Sequence, residues 1–153
     1  MAIDDFDLLR EKAVNFIGLR RGKSSGQVKQ RLLRETLDEA LIESVISYLE
    51  KIDYVNDRRA GEMMAKQYTG KKTRSRFAVQ YNLVKKGVKR DIADEIAAAR
   101  PSDYDTATEL LDANYSGQAG YPDQRIMGLL SRRGYSYSQI SEVIAKWTAG
   151  NIE

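Results

Sequence analysis

The chain has 153 residues, enough for one ordinary domain or a short array of repeats, and for a core that buries about 68–70% of the unfolded surface. It holds no cysteine and no histidine, which excludes disulfides, a thiol nucleophile, a zinc site built on those ligands and a Ser-His-Asp triad. The net charge is only +3, but residues 1–22 balance at zero, 23–55 sum to −1, 56–100 to +7 and 101–153 to −3.

The N-terminus, Met1-Ala2-Ile3-Asp4-Asp5-Phe6-Asp7, is acidic, whereas a signal peptide starts basic and turns apolar. No apolar run approaches the roughly 20 residues that cross a bilayer. A soluble, cytoplasmic protein without membrane contact is expected, and the lack of cysteine suits a reducing compartment.

Helix-period patterns fill most of the chain, and strand-like alternation is scarce. A first helix over about 4–21 precedes the loop Gly22-Lys23-Ser24-Ser25-Gly26. Helices over about 25–35 and 39–51 follow, the second striped by Leu41 or Ile42, Val45, Ile46 and Leu49. Asn56-Asp57 caps a helix over about 57–69. Gly70 and Gly87 are helix stops. Between them a helix over about 73–86 carries the stripe Phe77, Tyr81, Val84 and Val88, and its Phe77–Tyr81–Val84 face is expected in the core. A helix over about 89–99 closes at Pro101-Ser102-Asp103, which caps the next, over about 103–115. After the loop Tyr115-Ser116-Gly117-Gln118-Ala119-Gly120, Pro122 suits the first turn of a helix over about 122–133. Gly134 ends it, and Ser136 or Ser138 starts a last helix over about 138–149, striped by Ile140, Val143, Ile144 and Trp147.

These nine helices group in threes, and the sequence repeats with them. Thr36, Gly87 and Gly134, 51 and 47 residues apart, align without gaps. The next position is then Leu37, Val88 and Tyr135; four before the anchor are Leu32, Leu83 and Leu130; eight before are Val28, Val79 and Ile126; nine after are Val45, Ile96 and Val143. The expected fold is all-α: three tandem three-helix repeats of helix-turn-helix-like units, over residues 1–55, 56–100 and 101–153, in an elongated, curved body.

Three motifs resemble the RecX family. Tyr54-Val55-Asn56-Asp57-Arg58-Arg59-Ala60 is similar to its "GYLDD.RFA" segment, Leu83-Val84-Lys85-Lys86-Gly87-Val88 to its "L..KG(I/V)" turn, and Leu129 to Ile140, through Arg132-Arg133-Gly134-Tyr135-Ser136-Tyr137, to its "L..RGFSY..I" segment. Order and spacing agree over roughly residues 10–147. Asn56, Asp53 and Arg59 depart from the usual aspartate, glycine and phenylalanine, the usual Gly-Pro is missing between Gly70 and Phe77, and Glu35-Thr36 replaces the lysine-glycine pair in the first repeat. The resemblance implies three tandem three-helix repeats, binding along the groove of the RecA–DNA filament, and inhibition of filament growth, ATP hydrolysis and strand exchange.

The charge distribution converges on the same middle segment. From Lys71 to Arg90 there are eight bases and no acid, a pattern that suits a polyanion or an acidic groove. Lys71, Lys72, Arg74 and Arg76 form one cluster, and Lys85, Lys86, Lys89 and Arg90 another. Arg132 and Arg133 occupy the equivalent turn of the third repeat beside Tyr135 and Tyr137; Tyr135 is expected in the core, and the place of Tyr137 is open. Asp103, Asp105, Glu109 and Asp112 share one helix and are read as dipole partners and surface charges. No metal site, cofactor or catalytic residue is expected. The partners expected are the RecA filament and, weakly and without sequence preference, single- and double-stranded DNA, bound by a monomer. The alternative is a stand-alone basic DNA-binding protein of helix-turn-helix type, which needs one recognition helix with base-reading side chains and usually a dimer interface. A hydrolase or nuclease finds no constellation here.

Overall fold

The computed structural model describes residues 4–115 and 123–150; the expected loop at 116–120 and the first-turn position of Pro122 lie outside them. The described residues hold no strand. Their α-helices are α1 (Asp5–Ile17), α2 (Ser25–Leu32), α3 (Glu39–Lys51), α4 (Asp57–Ala65), α5 (Arg76–Lys85), α6 (Arg90–Ala98), α7 (Asp103–Tyr115), α8 (Asp123–Arg132) and α9 (Tyr137–Gly150), with a 3-10 turn at Gly70–Lys72.

Side-chain caps start most of these helices, in keeping with the preference for Ser, Asp and Asn at the residue before the first turn. Asp4 accepts from the Phe6 amide, Asp38 from Leu41, Asn56 from Arg59 and Ser102 from Asp105. Ser24 and Gln27 form a reciprocal capping box on α2. Ser136 accepts from the Gln139 amide, and the Gln139 side chain accepts from the Ser136 amide, so Ser136 rather than Ser138 starts α9. Two ends fall four residues short of expectation, and the end of α2 and the start of α5 each differ by three. α1 stops at Ile17, four residues before the expected end, because Gly18 leaves the helix with a positive φ of 73°. α4 stops at Ala65, and Gly70 opens the 3-10 turn instead of closing a helix.

The chain divides into two compact units. The first comprises the chain up to Met64 together with Leu83–Ala93. Here α1, α2 and α3 pack on one another, burying Leu9, Ala13, Ile17, Val28, Leu32, Ile42, Val45, Ile46, Leu49 and Val55. The second comprises Ala65–Asn82 and the chain from Asp94 onward. In it α9 packs on α7 and α8, and the 3-10 turn packs on α7. Its core is built on Leu110, Leu111, Ile126, Leu129, Leu130, Tyr135, Ile140 and Val143. No described helix is long and apolar enough to cross a membrane.

Two apolar expectations fail. Phe77 (70% exposed), Tyr81 (57%) and Val84 face solvent, and α5 buries Val79 and Leu83 instead. The helix carries apolar residues on both faces, and period alone does not choose between them. Leu37 is 87% exposed, although its counterparts Val88 and Tyr135 are buried. At Gly87 and Gly134, φ values of 90° and 96° let the next amide reach back, Val88 N to Leu83 O at 3.0 Å and Tyr135 N to Leu130 O at 3.1 Å. This closure tucks the following side chain inward. Thr36 lacks the left-handed φ, its own amide bonds Leu32 O at 3.2 Å, and Leu37 turns outward.

Candidate basic interface

The basic turns are held in place by one arrangement used twice. In the first unit the Ser24 hydroxyl accepts from the Gln27 amide at 3.1 Å and donates to the Lys86 carbonyl at 2.7 Å. The Gly26 amide donates to the Gly87 carbonyl at 2.9 Å. The backbones meet so closely that a Cβ on Gly26 would lie 2.4 Å from the Gly87 Cα. The Asp57 carboxylate accepts from the Ser25 amide at 2.6 Å, the Ser25 hydroxyl at 2.7 Å and the Lys89 amide at 2.9 Å. In the second unit the Ser75 hydroxyl accepts from the Ala78 amide and donates to the Gly134 carbonyl at 2.8 Å, while the Ser75 amide donates to the Arg133 carbonyl at 3.0 Å. Asp103 accepts from the Arg76 amide at 2.9 Å and from the Gln139 side-chain amide at 2.8 Å.

In the first unit, Lys85 and Lys86 are exposed and line a groove of about 560 Å³ with Gln27 and Arg31 of α2 and Arg34 of the turn that follows it. Arg31 is paired with Glu35 at 2.8 Å, and that hydrogen bond holds the Glu35 carboxyl below its usual range. Arg34, Lys85 and Lys86 have no ion-pair partner among the described residues. Lys89 does: its Nζ lies 2.9 Å from Glu50, a hydrogen bond that raises its pKa. Arg90 is exposed.

In the second unit, Lys71 and Lys72 stand exposed on the 3-10 turn. Arg74 is half-buried, its guanidinium 5.6 Å from the centre of the Tyr68 ring. Arg76 is turned inward and donates through Nε, at 3.1 Å, and Nη2 to the Arg100 carbonyl. Arg133 donates through Nη1 to the Lys71 carbonyl at 2.7 Å. Burial, with Arg74 and Arg132 nearby, holds its pKa below the usual arginine value. Arg132 is exposed, and Tyr137 is 76% exposed. Tyr135 is buried, its hydroxyl 2.8 Å from that of Thr106, and desolvation pushes its pKa up to about 12.

The structure therefore separates the basic residues by role. Lys71, Lys72, Lys85, Lys86, Arg90 and Arg132 present charge outward, whereas Arg76, Lys89 and Arg133 hold other parts of the chain. The groove adds Arg31, in the last turn of α2, and Arg34, in the turn after it, and their three-residue spacing was a readable signal. The acids of α7 are more than surface charges: Asp103 ties α5 and α9, Glu109 accepts from the Gly70 amide at 3.2 Å, and Asp112 accepts from the Trp147 indole at 2.9 Å. No group of acids able to hold a metal ion occurs among the described residues. Chemically, exposed unpaired ammonium and guanidinium groups are suited to contacting phosphate oxygens and carboxylates.

No family model matches the chain. It is 28% identical over 145 residues to the regulatory protein RecX of Chlorobium phaeobacteroides, a match covering 91% of this chain and 90% of that protein. It is 26% identical over 151 residues to the regulatory protein RecX of Clostridium acetobutylicum, covering 92% of this chain and 69% of the relative. The crystal structure of RecX from Lactobacillus salivarius superposes with a TM-score of 0.73 at 22% identity, over 95% of this chain and 98% of that one, which shows a shared fold. Similarity sustained along nearly the whole chain, together with that fold, supports assignment of this chain to the RecX family.

Proposed function

We propose that the chain is a non-enzymatic regulator of RecA. It binds the RecA–DNA filament and inhibits filament extension, ATP hydrolysis and strand exchange, so modulating DNA repair and the SOS response. The carrying observation is the likeness to regulatory RecX proteins over 91–92% of the chain. The exposed cations Lys71, Lys72, Lys85, Lys86, Arg90 and Arg132 support it, because a nucleoprotein filament offers phosphates and acidic side chains to such groups. The chain is read as three tandem three-helix repeats, 1–55, 56–100 and 101–153; the two serine–glycine–aspartate arrangements support that reading. It acts in the cytoplasm as a monomer, and DNA alone is bound weakly and without sequence preference. Basic residues at turns and helix ends suit phosphate contact better than the base-reading helix of a repressor.

The test is RecA ATP hydrolysis on single-stranded DNA with this protein titrated in. Substoichiometric inhibition is expected; unchanged hydrolysis at equimolar protein, with RecA shown active, sinks the proposal. The protein alone should neither hydrolyse nucleotide nor cut DNA with magnesium or manganese, and reproducible cleavage by a clean preparation would overturn its non-enzymatic character.

A further inference from the structure

The exposed face of α5 holds an arrangement that neither hydrophobic core uses. Phe77 and Tyr81, one helical turn apart, are 70% and 57% exposed. Their rings lie 24° from parallel with centroids 6.5 Å apart. Phenylalanine has no polar group to satisfy in water, so two adjacent exposed rings mark a contact surface. The Arg132–Arg133 turn abuts this stretch of α5. The Ser75 amide bonds the Arg133 carbonyl at 3.0 Å, and a Cβ on Gly134 would lie 2.6 Å from that of Ala78; Ser75 and Ala78 bracket Phe77.

Three guanidinium groups gather at this turn. Arg133 is fixed on the Lys71 and Thr73 carbonyls, and Arg74 and Arg132 are close enough to depress its pKa. None of the three has a carboxylate partner among the described residues, and Arg74 Nε is buried with no hydrogen-bond partner. Elsewhere, cations such as Arg31, Arg59 and Lys89 do have such partners.

We propose that this face of the second unit binds single-stranded nucleic acid, with Phe77 and Tyr81 stacking on unpaired bases and Arg74 and Arg132 taking the adjoining phosphates, while Arg133 holds the turn in place. This rests on the RecA-regulator reading and names the part of the filament that the site meets. Flat π-faces beside unpaired guanidinium groups match the alternation of base and phosphate in a single strand. A duplex keeps its base faces stacked and offers the rings nothing. An acidic protein groove would use the cations but would not need flat rings.

The experiment is fluorescence anisotropy with a labelled oligothymidylate and a duplex of equal length, without RecA. Phe77→Leu with Tyr81→Leu keeps apolar volume and removes the π-faces; Phe77→Ala with Tyr81→Ala removes both; circular dichroism checks that each variant folds. Both pairs should weaken oligothymidylate binding about tenfold or more, leave duplex binding within about twofold, and keep the parent's salt slope, because no phosphate contact is lost. Arg132→Gln should flatten the salt slope. The proposal is overturned by leucine variants that bind the oligonucleotide like the parent, by equal losses on single strand and duplex, or by variants that lose only RecA inhibition, which would place the rings against protein. A parent that inhibits RecA without binding single strands sinks this proposal alone; one that binds single strands through the rings without affecting RecA sinks only the regulator reading.

Discussion

Asp57 is 6% exposed and accepts from two backbone amides and a hydroxyl. Hydrogen bonds to a charged acceptor are among the stronger ones, and stranding buried donors is costly. Asp57→Ala should lower the unfolding free energy by about 2–4 kcal/mol, and Asp57→Asn, which keeps one acceptor oxygen, by less; urea titration measures both. Tyr135 gives a pH signature. Its folded pKa of about 12 lies above the ordinary 10.0, so the folded state retains a proton that the unfolded chain releases. Its contribution is complete below about pH 10 and is lost as pH rises toward 12. Tyr135→Phe should flatten that alkaline decline, at the cost of the Thr106 hydrogen bond, about 1 kcal/mol at neutral pH. Denaturation near pH 9 and near pH 11.5 compares the two proteins, and a parallel decline in parent and variant would refute the assignment.

At the scale of elements, the glycine turn at Gly87 is limited by both conformation and space. Its φ is 90°, and an added Cβ would lie 2.6 Å from the Ser24 hydroxyl and 2.8 Å from backbone atoms of α2. Gly18 has φ 73° but nothing within 4 Å. With ψ −173° its backbone lies in a region that essentially only glycine adopts, so Gly18→Ala should cost about 1–3 kcal/mol from backbone strain alone, whereas Gly87→Ala should cost about 3 kcal/mol or more because overpacking adds to its strain. Equal shifts in denaturation midpoint would refute this account. The caps at Asn56, Ser102 and Ser136 were legible in the sequence because capping is local chemistry, whereas Ser24, which caps α2, was read only as part of a loop. The outward face of α5 was not legible, since Phe77–Tyr81 and Val79–Leu83 are equally periodic and only a packing partner distinguishes them. Arg76 and Arg133 read as free cations for the same reason: the carbonyls that hold them, at Arg100 and Lys71, are distant in sequence or hidden in the backbone.

For the molecule as a whole, the exposed members of the basic run should affect binding and leave folding alone. Lys71, Lys72, Lys85 and Lys86 have no ion-pair partner among the described residues, and exposed lysines add little stability. Changing all four to alanine should leave the melting temperature within a few degrees. It should make the salt dependence of DNA binding shallower by roughly 0.7 per lysine that touches a single-strand phosphate, and weaken RecA inhibition. Including Arg76 would confound the test, since its guanidinium supports the Arg100 carbonyl. An unchanged salt slope would reduce these lysines to a solvated surface.

The first unit is discontinuous along the chain, taking Leu83–Ala93 from beyond the stretch Ala65–Asn82. Synthesis runs from the N-terminus, so Ser24, Gly26 and Asp57 leave the ribosome well before Lys86, Gly87 and Lys89, the residues that complete their hydrogen bonds. A nascent chain whose residues up to Met64 have cleared the exit tunnel, but whose later residues have not, should therefore hold α1–α3 around their shared core yet remain loosely closed and open to protease. Protection should rise once Ala93 has cleared the exit tunnel, which places the late step of this unit's maturation in translation itself.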